Sequence, residues 1–274
     1  MPKEIYMAFI DKYQSQIRKN APVVYQGLTF HPLLVEDYSI FLLGKQPFEL
    51  MISSLKDPKI ARLNWCACLW EIDRQCEKQT GTLGYFLNVV LYVMATALRL
   101  EAAYDGSFPL RPVFAQTGEL TAIMVGDPQL DYELLNMQQM DEVRQIIAAQ
   151  NGYEIPNENY NPELVKAAQE NASRNAPDVE LDFETLVYSV AFQCHVRASD
   201  VYGWSIREFE KMQEAADRDI MYRLCAAVEM DGDRKFNKGN PYPSWKYNRK
   251  PQMPAGFRTI ADIDAGAKGL IAGT

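Results

Sequence analysis

"LGYFLNVVLYVMATALRL", from Leu83 to Leu100, decides the fold. The run is apolar almost throughout and sits near the lower length limit for a membrane span. Asn88 and Arg99 interrupt it. A helix apolar on all sides is also what the centre of a larger helical domain requires. Shortness and the two polar residues favour the buried helix, so the sequence predicts a central core helix and no membrane span.

The flanks carry the cues of a helical protein. Upstream, "DPKIARLNWCACLWEIDRQCEKQTG" offers Asp57 as a cap, Pro58 in the first turn and Gly81 as a stop. The expected apolar face is Ile60, Leu63, Ala67 and Trp70. "EDYSIFLLGKQPFELM" reads as a helix interrupted by Gly44 and Pro47. "VVYQGLTFHPLLV" reads as one extended segment or a tight hairpin about Gly27. The N-terminal helix is expected to end near Asn20, before Pro22.

Downstream, "FPLRPVFAQTGELTAIMVGDP" predicts a β-hairpin turning at Thr117-Gly118 and closing at Gly126-Asp127-Pro128. Helical signals then return. Asn136 and Gln139 form a capping box, Met140, Val143 and Ile147 share a face, and Gly152 ends the helix. Asn161 precedes Pro162 at the head of a polar, exposed helix. Asp182 caps a helix striped by Phe183, Leu186, Val187, Val190 and Cys194. Ser205 and Glu208 form a second capping box before a long helix to about Met230, striped by Ile206, Phe209, Met212, Ala216, Ile220, Leu224 and Val228.

The expected fold is mainly α with a small β-hairpin or sheet element, a multi-helix α+β chain with an irregular C-terminal tail. Its parts are residues 1–130, helical with the small β element, residues 131–230, helical, and a basic, aromatic, Pro- and Gly-rich tail at 231–274.

The chain has 274 residues, 47% hydrophobic and 23% charged, enough for a sizeable core. Net charge is −8, and a chain built to hold nucleic acid leans the other way. Five cysteines, an odd number with no secretory segment before them, read as reduced thiols in a cytoplasm.

Residues bearing chemistry do not assemble into a motif. Cys194 and His195 are sequence neighbours pointing about 100° apart on a helix, so they cannot form a thiolate–imidazole pair. Cys66 and Cys68 lack zinc spacing and a completing pair. Asp231 and Asp233 lack the rest of a calcium loop, and "GAKGLIAGT" lacks the ending of a phosphate loop. No metal site, cofactor or catalytic set is expected.

"KFNKGNPYPSWKYNRKP", Lys235 to Pro251, interleaves five cations with four aromatics. Such a pattern suits single-strand nucleic acid or docking on protein. In an acidic chain it reads as a docking strap. Phe236, Tyr242, Trp245, Lys246, Tyr247 and Arg249 are the expected partner-binding residues. Trp245 and Tyr247 share one side of an extended segment. The acidic region around Glu154, Glu158, Glu163, Asp178, Glu180 and Asp182 is a natural counter-charge.

"YQGLTFHPLLVEDYSIFL", with Phe30, Pro32, Val35, Asp37 and Tyr38, resembles the opening of tail assembly chaperones from tailed phages and prophages of Gram-positive bacteria. Further likenesses lie at "MQQMDEVRQIIAAQNGYE" and across the long helix into the "PSWKY" tail. Together they span about two thirds of the chain. Pro243 is an addition to the pattern, and the hairpin near Phe114 to Met124 has no counterpart in it. The resemblance implies a non-enzymatic protein in the cytoplasm of a bacterial host. Its implied partner is the apolar, helical tape-measure protein, which such chaperones coat before the tail tube polymerises. A homo-oligomer is also compatible. The methionines Met137, Met140, Met212, Met221 and Met230 suit either a core or a tolerant binding face. Two other classes stay open: a structural connector or baseplate-type component, and an enzyme with an unrecognised site.

Overall fold

The computed structural model describes residues 9–100, 109–127, 131–175 and 182–230. These are mainly α-helical with a small antiparallel β part. In chain order the elements are α1 (Gln14–Arg18), β1 (Val23–Tyr25), β2 (Leu28–Phe30), α2 (Tyr38–Phe48), α3 (Trp65–Thr80), α4 (Phe86–Ala97), β3 (Leu110–Phe114), β4 (Leu120–Asp127), β5 (Asp131–Asn136), α5 (Met137–Asn151), α6 (Pro162–Asn175), α7 (Phe183–Cys194), α8 (Ala198–Val201) and α9 (Ile206–Met230).

The chain divides into two compact units. The first comprises Met1–Pro162 with Leu181–Met212, and the second Glu163–Glu180 with Gln213–Thr274. The division drawn from sequence at residue 130 falls between β4 and β5, which pair with each other.

The Leu83 run forms the central helix of the first unit. Leu87, Val90, Val93, Met94, Ala95 and Ala97 of α4 are buried, while Tyr92 faces out. The helix covers only Phe86–Ala97, with its start capped from outside the run and its end turned by Arg99 within it. Asp73 of α3 accepts hydrogen bonds from the backbone N–H groups of Phe86 (3.0 Å) and Leu87 (2.9 Å). It caps α4 from a neighbouring helix. At the other end Arg99 takes a left-handed φ of 52°. None of the described helices is long and apolar enough to cross a membrane.

Burial raises the Asp73 carboxyl above its ordinary value, outweighing the two N–H donors that lower it. A raised folded value means the folded state holds the proton longer. Its contribution is therefore full below about pH 4 and is lost as pH rises through the raised value. Asp73→Asn is expected to cost about 1–2 kcal/mol. The gap between wild type and variant should narrow from pH 3.5 (roughly, just below the ordinary carboxyl value) towards neutrality in urea unfolding. A gap that widens with pH would contradict the raised value.

β1 and β2 form the hairpin alternative, turning through Gln26 (φ 48°) and Gly27 (φ 72°). Two positive φ values make a type I′ turn, which matches strand twist and explains the glycine. β3 and β4 pair around Gly118 as expected. β4 ends at Asp127, within the expected Gly126-Asp127-Pro128 stop, but it also pairs with a third strand, β5, which the hairpin reading did not include. Leu110, Leu120, Ile123, Val125 and Leu135 are the buried residues of this sheet.

Two helices depart from the sequence expectation. α2 runs through Gly44 and Pro47 without a break. Gly44 is a contact point rather than a stop: a Cβ there would lie 2.4 Å from the Tyr153 hydroxyl and 3.0 Å from Val93 Cγ2. α3 begins at Trp65, not Pro58, after a short 3₁₀ turn at Ile60–Arg62. Its buried face is Trp65, Cys66, Cys68, Leu69 and Asp73, so Leu63 is exposed while Ala67 and Trp70 are only half-buried.

The remaining signals fold as read. Asn136 and Gln139 exchange side-chain-to-backbone hydrogen bonds of 2.9 and 2.8 Å. Gly81 and Gly152 are left-handed C-caps. Asp182 accepts from Thr185 N–H at 3.0 Å. Of the Ser205–Glu208 box, Ser205 accepts from Glu208 N–H at 3.2 Å, whereas the Glu208 carboxylate accepts from Asn20 Nδ2 at 3.3 Å. A smaller cluster of Val35, Val187, Val190, Ala191, Val201 and Phe209 joins α7 to the start of α9.

Candidate functional site

Phe236, Tyr242, Trp245, Lys246, Tyr247 and Arg249 lie outside the described residues, as do Asp178 and Glu180. Two of their expected acidic partners already have work. Glu158 accepts from the N–H groups of Ile52 (3.0 Å) and Ser53 (2.7 Å), and Asp182 caps α7.

The titratable groups that stood out in sequence are occupied structurally. Burial pushes the Cys66 thiol up strongly and the Cys68 thiol to about 11, which leaves both as poor nucleophiles at neutral pH. Cys194 is the last residue of α7, and His195 follows it as a left-handed C-cap, φ 56°. The neutral form of His31 is favoured by burial and by Arg99 nearby. Asp141 accepts from Trp65 N–H at 2.9 Å and Asn64 Nδ2 at 2.6 Å. Asn151, fully buried, accepts from Leu33 N–H at 2.7 Å and donates to Ile147 O at 2.8 Å. That bond fixes the segment whose next residues pair with the start of α9: Val35 N–H donates to Trp204 O and Ile206 N–H to Leu33 O. No group of three or more potential metal ligands occurs among the described residues.

The residues that carry the family likeness are likewise structural. Phe30 and Val35 are fully buried, and Tyr38 begins α2. Asp37 accepts from Leu34 N–H at 3.2 Å.

What the described chain does expose is apolar helix surface. Exposed hydrophobic side chains scattered singly need no explanation, but a run along one helix does. In the second unit, α9 carries Ile220, Leu224 and Val228 one turn apart, with Leu224 56% exposed. Sequence spacing marks this stripe, with Met212 and Ala216, without saying what covers it. The structure buries only its first members, Ile206 and Phe209; Met212 is exposed as well. Periodicity marks an apolar face but not what covers it. An Arg223–Asp219 ion pair at 2.8 Å flanks the stripe. Such an i, i+4 ridge is the surface one helix offers to the grooves of another.

A second exposed face lies on α7 in the first unit. Of its expected stripe, Val187 and Val190 are buried and Phe183, Leu186 and Cys194 half-buried, but Tyr188 (58% exposed) and Phe192 (75% exposed) point the other way, followed by Val196. They border an open concavity of about 400 Å³ together with Asp182, Glu184, Thr185 and Ser189. Sequence reading missed this face because it counted only one stripe per helix. Tyr188 and Phe192, four apart and off that stripe, were the available signal.

Of the methionines, Met140 is in the core, whereas Met212 and Met230 are exposed. The arrangement supplies docking surface for apolar side chains. Comparison with known proteins found no matching family model, no matching curated protein and no matching solved structure.

Proposed function

We propose that this protein is a non-enzymatic tail assembly chaperone that binds the tape-measure protein during phage tail morphogenesis. The observation that supports the reading most is the exposed apolar ridge Ile220–Leu224–Val228 on a 25-residue helix. A partner rich in amphipathic helix would lay its own apolar face along such a ridge, a common recognition mode. The surrounding net charge of −8 keeps a carrier of exposed apolar surface soluble. The sequence likeness at Phe30 to Tyr38 supports the same reading.

The test is co-expression with helical fragments of the tape-measure protein encoded in the same genome. The expected result is that fragments insoluble alone stay soluble and co-purify with several copies of this chain. Purified particles should lack the protein. A stoichiometric presence in finished particles would instead make it a structural connector.

A further inference from the structure

We infer that the α9 ridge is the seat of the chain's own segment Phe236–Tyr247, which returns along the helix and covers Ile220, Leu224 and Val228 until a partner displaces it. The covering does not depend on the tape-measure reading; displacement by that partner rests on it.

Reach is the first argument for this occupant. Residues 231–274 follow Met230, the last residue of α9, so the segment sets out from the very helix that carries the ridge. The stretch of α9 from Met230 back to Asp217 is about 20 Å long at the helical rise, which about six extended residues retrace. Trp245 comes fifteen residues after Met230, more than twice that length. A segment tethered so close meets the ridge at a high effective concentration, which favours it over the same segment of a second copy. Pro241 and Pro243 fix φ at two positions, which lowers the entropy lost on docking.

Charge is the second. α9 is continuous from Ile206 to Met230, so helical spacing fixes its faces. Asp217, three residues before Ile220, therefore lies on the ridge side. It is exposed and has no ion pair among the described residues. Arg223, the cation bordering the ridge, is already held by Asp219 at 2.8 Å. From Lys235 to Pro251 there are five cations and no Asp or Glu. An apolar ridge ending in an open carboxylate thus matches a segment of rings followed by cations. Chain order sets Phe236 towards Val228, Trp245 and Tyr247 towards Ile220, and Lys246 and Arg249 at the Asp217 end.

Limited trypsin digestion of the full chain tests this, with cuts after Lys238, Lys246 and Arg249 followed by mass spectrometry. Ile220→Ser, Leu224→Ser and Val228→Ser together should speed these cuts by about tenfold or more, as release of a docked segment does, while circular dichroism shows the helices intact. Asp217→Asn should speed them by a smaller factor, since a single exposed charge is screened. Phe236→Ser, Trp245→Ser and Tyr247→Ser together should raise binding of an apolar fluorescent dye, a gain the added ridge substitutions should cancel. Tail cuts indifferent to the ridge substitutions would overturn the inference. Wild-type cuts that speed up on dilution would give the ridge to the segment of a second copy and overturn the return within one chain. No effect of Asp217→Asn would overturn the placing of the cations. The aromatic tail variant should also hold a tape-measure fragment more tightly than wild type. Unchanged affinity, with the tail cuts still ridge-dependent, would overturn the displacement and not the covering.

Discussion

Arg144→Ala is expected to destabilise the first unit by about 3–5 kcal/mol, the range for stranding buried polar partners of a charge. Arg144 is 6% exposed. Its Nε and Nη2 both donate to Phe48 O (3.0 and 2.6 Å), and Nη2 also donates to Leu50 O at 3.0 Å. These carbonyls close the C-terminal end of α2, where a cation also answers the helix dipole. Alanine leaves both acceptors in a site too closed for easy hydration. It also removes the charge that helps hold down the Asp141 carboxyl, which burial raises. Arg144→Lys should recover only part of the loss, because an ammonium cannot fork across two carbonyls. Urea unfolding measures both. A loss below about 1 kcal/mol, the worth of an ordinary hydrogen bond, would contradict this role.

Trp65→Ala should cost a similar amount, about 3–5 kcal/mol. The ring is 1% exposed and packs on Phe48 with centroids 4.9 Å apart. Phe48 stacks in turn on Tyr153, and Tyr153 on Phe41. Removing the indole opens a cavity at one end of this aromatic series and strands Pro47 O, which accepts from Nε1 at 2.8 Å. Trp65→Phe keeps most of the contact but not the hydrogen bond, so about 1–3 kcal/mol is expected. Arg144 lies over the indole at 5.0 Å. The double variant should therefore cost less than the two single losses together. Strict additivity would show that the two side chains act independently.

These two residues show where sequence reading stopped. Neither drew a structural role from the sequence. Trp65 sat mid-helix in the expected α3, and Arg144 was one more cation on α5. Their importance comes from Pro47, Phe48 and Leu50, far away in the chain. The same holds for Asp73, whose partners Phe86 and Leu87 belong to the next helix. Signals that act within four residues were legible: the Asn136–Gln139 box, the Asp182 and Ser205 caps, and the left-handed Gly81 and Gly152. β5 was not: "DYELLN" is short, and the Tyr132 and Leu134 of its alternation are exposed while Leu135 is the residue buried once β4 pairs beside it. Gly44 misled for the opposite reason. Its helix-breaking tendency is outweighed by close packing on Tyr153, whose hydroxyl donates to Phe41 O at 3.1 Å.

The candidate surface was half legible. Spacing found the Ile220–Leu224–Val228 stripe but not its exposure, since periodicity records apolarity and not coverage. The α7 face escaped because Tyr188 and Phe192 fall outside the stripe that anchors the helix.

The central claim is that the α9 ridge holds the tape-measure protein. Its most direct test is retention of a tape-measure fragment by wild type and by a variant carrying Ile220→Ser, Leu224→Ser and Val228→Ser. Exposed substitutions of this kind typically shift stability by only about 0.5 kcal/mol each, so the fold should survive. The account predicts that wild type retains the fragment and the folded variant loses it. Equal retention by both, or by neither, would contradict it.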